Sequence, residues 1–294
     1  MAKRQLSSSE QFDLQQTLHV AVLDALMASR RWEPHDLAFQ GGTSLHLVHG
    51  SPRFSEDLDF LLRGSIDVNR VGSALRDRIL SQNPSWVPSD MKLGVKIAKS
   101  DRNPYLLTVS VQGDNVIGAV KVKLEFWQAR DETLSNLGIE VSPVRASASS
   151  AQSFQTFVPT ADIREIHADK VFALAARPYI KPRDIFDLHW LAMHHKVLPQ
   201  DLQEHDLKAR FAMYPNETVA GWLDKADARM RELPGATQVV REDLQRWLPS
   251  TWPLDEPRVQ GMIDQSCRAL ARGVELARAW PQSDSSPSEM YAQS

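Results

Sequence analysis

Residues 57–60 alternate Asp57, Leu58, Asp59, Phe60, the period of a strand that turns two apolar side chains into a core and two carboxylates to its other face. Upstream lies a short apolar run, Leu37, Ala38 and Phe39, followed by Gly41 and Gly42, which permit a tight turn. Thr43 is expected to cap a helix running through Leu45 and Val48. The period of two returns at 120–126, with Val120, Val122, Leu124 and Phe126 on one face and Lys121, Lys123 and Glu125 on the other. Beyond residue 157 the spacing becomes helical. Pro159-Thr160 reads as a helix start, with Thr160 as the cap, Asp162 and Glu165 in the first turn, and Ile163, Ile166, Val171 and Leu174 as the buried stripe. A second helix is predicted from Pro182, which suits a first helical position, and buries Ile185, Leu188 and Leu191. Further helices are expected near 202–212, 217–232, 239–248 and 257–280.

The small, polar run from Arg145 to Gln155 reads as a linker. The predicted class is α+β: an α/β lobe over 1–145, a mainly helical lobe over 157–280 that completes a cleft, and a Ser- and Pro-rich disordered tail over 281–294.

Two carboxylates on one strand face, about 5 Å apart, repel by roughly 3 kcal/mol at an effective dielectric of about 20. That is large against the margin by which a domain is stable, so a cation is expected beside them. Hard oxygen ligands in this arrangement suit Mg²⁺, which takes one or two protein carboxylates together with substrate phosphates. The glycine turn supplies the complementary feature. Without Cβ atoms at Gly41 and Gly42 the backbone can approach a phosphate, and free N–H groups at the helix start favour an anion. Thr43 or Ser44 would add a hydroxyl. If the strand carrying Glu125 neighbours the one carrying Asp57, then Lys121 and Lys123 help hold a triphosphate or an RNA backbone.

In the helical part, Lys170 lies one residue from buried Val171, and alone it would be an ordinary solvated lysine. Asp184 and Asp187 share a helix face, and Arg183 lies four residues from Asp187, where the two can pair. With Lys181 nearby, Asp187 suits a site that orients an attacking hydroxyl. The pairs His46/His49 and His194/His195 lack the separation and the cysteines of a helix-borne zinc site, and His189 is expected to be structural. Cys267, the single cysteine, excludes an intrachain disulfide and packs as a small hydrophobe.

Net charge is −3 over 294 residues, so a polyanionic partner would meet local patches, Lys92, Lys96, Lys99 and Arg102 or Arg258, Arg268, Arg272 and Arg278. The C-terminal set is better explained as a solvated face. No apolar stretch approaches the roughly 20 residues that span a bilayer, and the first residues lack an apolar signal core, so a cytoplasmic protein is expected.

Glycine pair, short helix and Asp-x-Asp together resemble the nucleotidyltransferase superfamily with the polymerase-β-type catalytic domain. More closely, GGTSL followed by RFSEDLDF is similar to the AbiEii/AbiGii toxin family of abortive-infection and type IV toxin–antitoxin modules, as are Lys170 in REIHADKVFALAAR and Arg183, Asp184 and Asp187 in KPRDIFDLHWL. The resemblance covers roughly residues 35 to 195 and implies a polymerase-β-like lobe with a mixed sheet. It makes Asp57 and Asp59 metal ligands, with Glu125 in place of the usual third Asp. It sets Ser55, from the R-x-S-x-D pattern, and Lys170 at the phosphates, beside Gly41, Gly42, Thr43, Ser44, Lys123 and Arg183. Asp184 or Asp187 completes the late acidic motif.

The implied reaction is Mg²⁺-dependent transfer from a nucleoside triphosphate to an RNA acceptor, the tRNA 3′ end, stalling translation and growth until a cognate antitoxin counters it. The alternatives are a protein hydroxyl or an antibiotic as acceptor, or a nucleotide-binding regulator without chemistry.

Overall fold

The structure is a computed structural model that describes residues 3–81, 84–97 and 103–280. Lys99, Arg102 and the tail from 281 lie outside the described residues. The chain forms two compact units, one of Met1–Gly50 and Ser55–Ala161, the other of Ser51–Phe54 and Asp162–Ser294.

The first unit contains, in order, β1 (Arg4–Gln5), α1 (Ser8–Ala28), β2 (Leu37–Gln40), α2 (Gly41–Leu47), β3 (Leu58–Arg63), α3 (Val68–Ser81), β4 (Lys92–Ile97), β5 (Tyr105–Gln112), β6 (Val116–Ile117), β7 (Ala119–Ala129), α4 (Asp131–Ser135), β8 (Ile139–Pro143) and β9 (Phe157–Ala161). Seven strands make a mixed sheet in the order β4-β5-β7-β3-β2-β9-β8, while β1 and β6 form a separate parallel pair. Strand β3 lies antiparallel to β2 and parallel to β7. Phe39, Phe60 and Phe126, on three adjacent strands, are fully buried, with centroids 5.3 Å and 5.0 Å apart along the row. Each such side chain contributes roughly 1.5–3 kcal/mol of burial. Helix α1 covers this row with Leu14, Leu18, Val22 and Leu26. It starts in a capping box between Ser7 and Glu10.

Three expectations about local structure are corrected here. Helix α2 begins at Gly41 with Gln40 as its N-cap, so Thr43 stands inside the first turn and does not cap it. The segment Phe157–Ala161 is a strand, paired parallel to β2 at Phe39 and antiparallel to β8. The following helix therefore starts after Asp162, whose carboxylate accepts from the N–H groups of Arg164 and Glu165, and Thr160 is not its cap. Finally, the polar run 145–155 stays within the first unit, because Gln16 Oε1 accepts from Ser147 and Ala148. The chain leaves that unit between Ala161 and Asp162.

The second unit is helical: α5 (Ile163–Ala176), α6 (Pro182–His195), α7 (Glu204–Met213), α8 (Val219–Glu232), α9 (Thr237–Leu244) and α10 (Glu256–Arg278). Its core gathers around fully buried Trp222, stacked on Phe172 at 6.0 Å and donating its indole N–H to the Phe172 carbonyl at 3.0 Å. Cys267 packs at the edge of this core. The segment Ser51–Phe54 also belongs here, since the Phe54 N–H donates to the Trp247 carbonyl at 2.8 Å. Among the described residues no helix is long and apolar enough to cross a membrane.

Candidate active site

Strand β3 turns Leu58 and Phe60 into the core, both at 0% exposure, and leaves Asp59 half-buried between them, with half-buried Asp57 immediately before the strand. Asp59 is the register partner of Glu125 on β7 and of Gln40 on β2. Neighbouring strands run about 4.8 Å apart, so Asp59 and Glu125 emerge side by side on one face. Lys123, two residues before Glu125 and on the same face, forms an ion pair with it. The hydrogen bond with Glu125 raises the Lys123 pKa above its ordinary value; partial burial opposes this, and the charges of Glu125, Asp57 and Asp59 add to it. Three carboxylates thus act on one lysine.

Gly41 adjoins this face. Its φ is +80°, in the left-handed region that favours glycine, and a Cβ built on it would lie 2.5 Å from Asp59 Oδ2. The carboxylate and the helix-opening turn are therefore in direct apposition. Gln40 gives no side-chain cap, and the first N–H groups of an α-helix have no intrahelical partner.

Thr43 and Ser44 are fully buried. The Thr43 hydroxyl donates to the Asp57 carbonyl, and Ser44 Oγ has no hydrogen-bond partner among the described residues. One residue earlier, the Glu56 carbonyl accepts from His19 Nε2 at 2.8 Å. A carbonyl only accepts, so this nitrogen carries the proton. Burial drives the His19 pKa down to about 4 despite that bond. Two successive carbonyls leading into the carboxylate strand are thus held from α1 and α2.

The donor set has the hardness and charge to hold a divalent cation through Asp57 and Asp59, with phosphate oxygens completing its shell. Among the described residues no three His, Cys, Asp or Glu side chains converge as a metal cage, and the Glu125 carboxylate is engaged by Lys123.

In the helical unit, Lys170, Asp184 and Asp187 do come together. Lys170 is 6% exposed, with Nζ 2.7 Å from Asp184 Oδ1 and 2.8 Å from Asp187 Oδ2. Asp187 is also gripped by Arg53, Nε to Oδ1 at 2.6 Å and Nη2 to Oδ2 at 2.8 Å. Arg177 Nε reaches Asp184 Oδ2 at 3.0 Å. Burial pushes both carboxyls up, but Lys170 and Arg177 at Asp184, and Arg53 and Lys170 at Asp187, outweigh it and hold both below the usual range. Burial pushes Lys170 down, and the two aspartates override it.

Arg183 does not pair with Asp187: its guanidinium lies 4.0 Å over the Trp247 ring, and Asp187 is taken by Arg53 instead. Lys181, at the N-cap of α6, has its pKa lowered to about 8 by burial, with Arg177, Lys170 and Arg183 adding to the fall and Asp184 opposing it. Ser55 is half-buried, one residue past the segment that carries Arg53.

Sequence reasoning did not single out Arg53, whose only signal is its place as the Arg of R-x-S-x-D, nor His19, which carries no local signal at all. Of the α10 arginines, Arg258 pairs with the N-cap Asp255 and Arg272 with Glu275, each three residues away, and Arg278 pairs with Asp227 of α8. His46 Nε2 accepts from Gln16 Nε2 at 2.8 Å, and the His194 ring stacks on Trp190 at 3.6 Å, which are structural contacts.

The fold recurs in a solved structure. MenT4, a nucleotidyltransferase toxin from Mycobacterium tuberculosis H37Rv, aligns with a TM-score of 0.56 at 17% identity over 94% of this chain and 87% of its own. JHP933 from Helicobacter pylori aligns with a TM-score of 0.48 at 19% identity over 93% and 98%. No curated protein matches the sequence. The family model for the nucleotidyl transferase AbiEii toxin of type IV toxin–antitoxin systems matches residues 24–255, a span that includes the glycine turn, the paired aspartates and the Lys170–Asp187 cluster. The chain belongs to the AbiEii family of nucleotidyltransferase toxins.

Proposed function

We propose that this nucleotidyltransferase acts in the cytoplasm with Mg²⁺, transfers nucleotides from a nucleoside triphosphate to the 3′ end of tRNA, and so stops translation and growth until a cognate antitoxin counters it. The observation that carries the reading is the apposition of Asp59 to Gly41, a carboxylate beside an anion-favouring helix start. In the transfer, the acceptor hydroxyl bonds to the α-phosphorus as the bond to pyrophosphate breaks.

Asp57 and Asp59 would hold the metal, with Glu125 beside them, and bound Mg²⁺ would supply positive charge for the entering and departing oxygens. The N–H groups of Gly41, Gly42 and Thr43 would take the outer phosphates, with Lys123 at the rim. The Thr43 hydroxyl serves the Asp57 backbone, so in this reading its side chain positions the carboxylate strand and does not touch the nucleotide. The RNA acceptor follows from the family likeness. Incubation of the protein with Mg²⁺, each labelled triphosphate and total cellular RNA tests it: label in the tRNA fraction is expected, and label confined to protein would overturn the acceptor.

A further inference from the structure

On the β4-β5-β7 side of the large sheet the two faces separate cleanly. Leu107, Val109 and Val111 of β5 and Val120, Val122 and Leu124 of β7 are buried on one of them. The residues between them share the other, where register sets them in rows. Lys96 of β4 lies opposite Thr108 of β5, and Thr108 opposite Lys123 of β7. The next row is Gly94, Ser110 and Lys121, and Lys92 lies opposite Gln112 in the row beyond. Lys92, Lys96 and Lys121 are exposed, and Lys123 is half-buried.

With strands about 4.8 Å apart and residues about 3.4 Å apart along a strand, the four lysines start from a field of about 10 Å by 13 Å. Those spacings approach the Debye length of about 8 Å at physiological salt, so the lysines act on a ligand as one positive patch. Lys123 is paired with Glu125 and feels Asp57 and Asp59, whereas Lys92, Lys96 and Lys121 make no ion pair with any described residue. From these rows of β7 to β4, the last strand on this side of the sheet, the face carries no carboxylate among the described residues. A Cβ at Gly94 would lie 3.3 Å from Ser110 Oγ, so glycine keeps that hydroxyl uncovered in the middle of the patch. At its other end the patch begins at the candidate site: Lys123 and Glu125 are consecutive on this face, and Glu125 is the register partner of Asp59.

The chemistry of the face selects its occupant. Ammonium, hydroxyl and amide groups are those that hold phosphate and sugar oxygens, and nucleic-acid interfaces are polar and strongly positive. A protein partner is anchored by large apolar or aromatic side chains at the centre of its interface, and these rows contain none. Without an aromatic ring to stack on bases, the contact is with the backbone.

We infer, resting on the RNA acceptor proposed above, that this face seats the acceptor's backbone: its phosphates lie over β7, β5 and β4, from Glu125 to the sheet edge, and are held by Lys121, Lys96 and Lys92 without reading sequence.

The test uses the full chain, with binding of bulk tRNA followed by fluorescence anisotropy over a series of salt concentrations, and transfer from labelled triphosphate. The triple variant Lys92→Gln, Lys96→Gln, Lys121→Gln removes three exposed charges and leaves Lys123 in place. A control with Arg31→Gln, Arg70→Gln and Arg231→Gln removes the same charge from exposed side chains elsewhere. In the lysine variant tRNA affinity is expected to fall at least about tenfold at about 100 mM salt, and the slope of log K against log salt to become shallower by about two to three. The KM for RNA rises in parallel, while the KM for triphosphate stays within about twofold of the wild type. The control matches the wild type. Wild-type affinity and slope in the lysine variant, or an equal loss in the control, would overturn the inference. Retained tRNA binding with lost binding of the purified antitoxin would give the face to a protein and overturn it too. Label confined to protein would end the acceptor reading, while the tRNA titration of the two variants still decides this face by itself.

Discussion

Thr43 donates its buried hydroxyl to the main-chain carbonyl of Asp57. The bond joins the third residue of α2 to the residue just before β3, so the helix start and the first acid keep their spacing through a side chain that is out of reach of solvent. Thr43→Val keeps the shape, removes the donor and leaves a carbonyl without it, at a cost of about 1–3 kcal/mol. Urea denaturation is expected to show that loss together with reduced transfer, whereas Thr43→Ser retains most of both. A Val variant with full transfer would separate the bond from function.

Gly41→Ala places a methyl against the Asp59 carboxylate at a residue whose φ is +80°. Strained backbone of this kind costs on the order of 1–3 kcal/mol, and the carboxylate must move as well. Transfer is expected to fall more than the loss of stability alone explains, measured at a temperature well below the unfolding midpoint. Gly50, also at positive φ but with nothing within 4 Å of a built Cβ, is the control: Gly50→Ala loses stability and keeps its activity.

Two buried histidines set an acid dependence of stability. His19 and His167 both have pKa values lowered to about 4, in each case chiefly by burial. The unfolded chain, with histidines near 6.5, binds protons between pH 6.5 and about 4 that the folded chain refuses. Stability is therefore complete above pH 6.5 and falls as the pH falls through that window, by about 2 kcal/mol per histidine at pH 5. Urea unfolding at pH 7 and pH 5 checks this, and His167→Gln is expected to flatten the difference. A pH-independent midpoint would contradict it.

Removing Lys170 strips the cation that bridges Asp184 and Asp187 inside the helical unit. Breaking one partner from a buried network costs about 3–5 kcal/mol, so Lys170→Met is expected to lower stability by that order. An exposed lysine, as the residue reads in isolation, would cost only tenths; thermal unfolding separates the two.

The parts of this protein that follow from local periodicity are legible in its sequence. Asp57-Leu58-Asp59-Phe60 alternates between core and open face as read, as does Val120–Phe126, and the helices of the second unit lie close to their expected places. What depends on distant pairing is not legible. Phe157–Ala161 is a strand because β2 and β8 accept it, and the Asp162 cap directly after it made the stretch resemble a helix start. The parallel pairing of β3 with β7, which sets Glu125 opposite Asp59, is likewise non-local. Arg53 and Asp187 are 134 residues apart. Their pairing displaced the local Arg183–Asp187 contact, because a buried carboxylate gains more from an enclosed two-bond fork than from an exposed pair along one helix turn.

The central claim is that Asp57 and Asp59 together support metal-dependent transfer, and it is tested most directly by labelled-triphosphate transfer with the Asp57→Asn and Asp59→Asn proteins. Each change removes a charge at nearly constant volume, so both proteins should fold with undiminished stability while transfer drops by at least about a hundredfold. Folded variants that both transfer label at the wild-type rate would contradict the account.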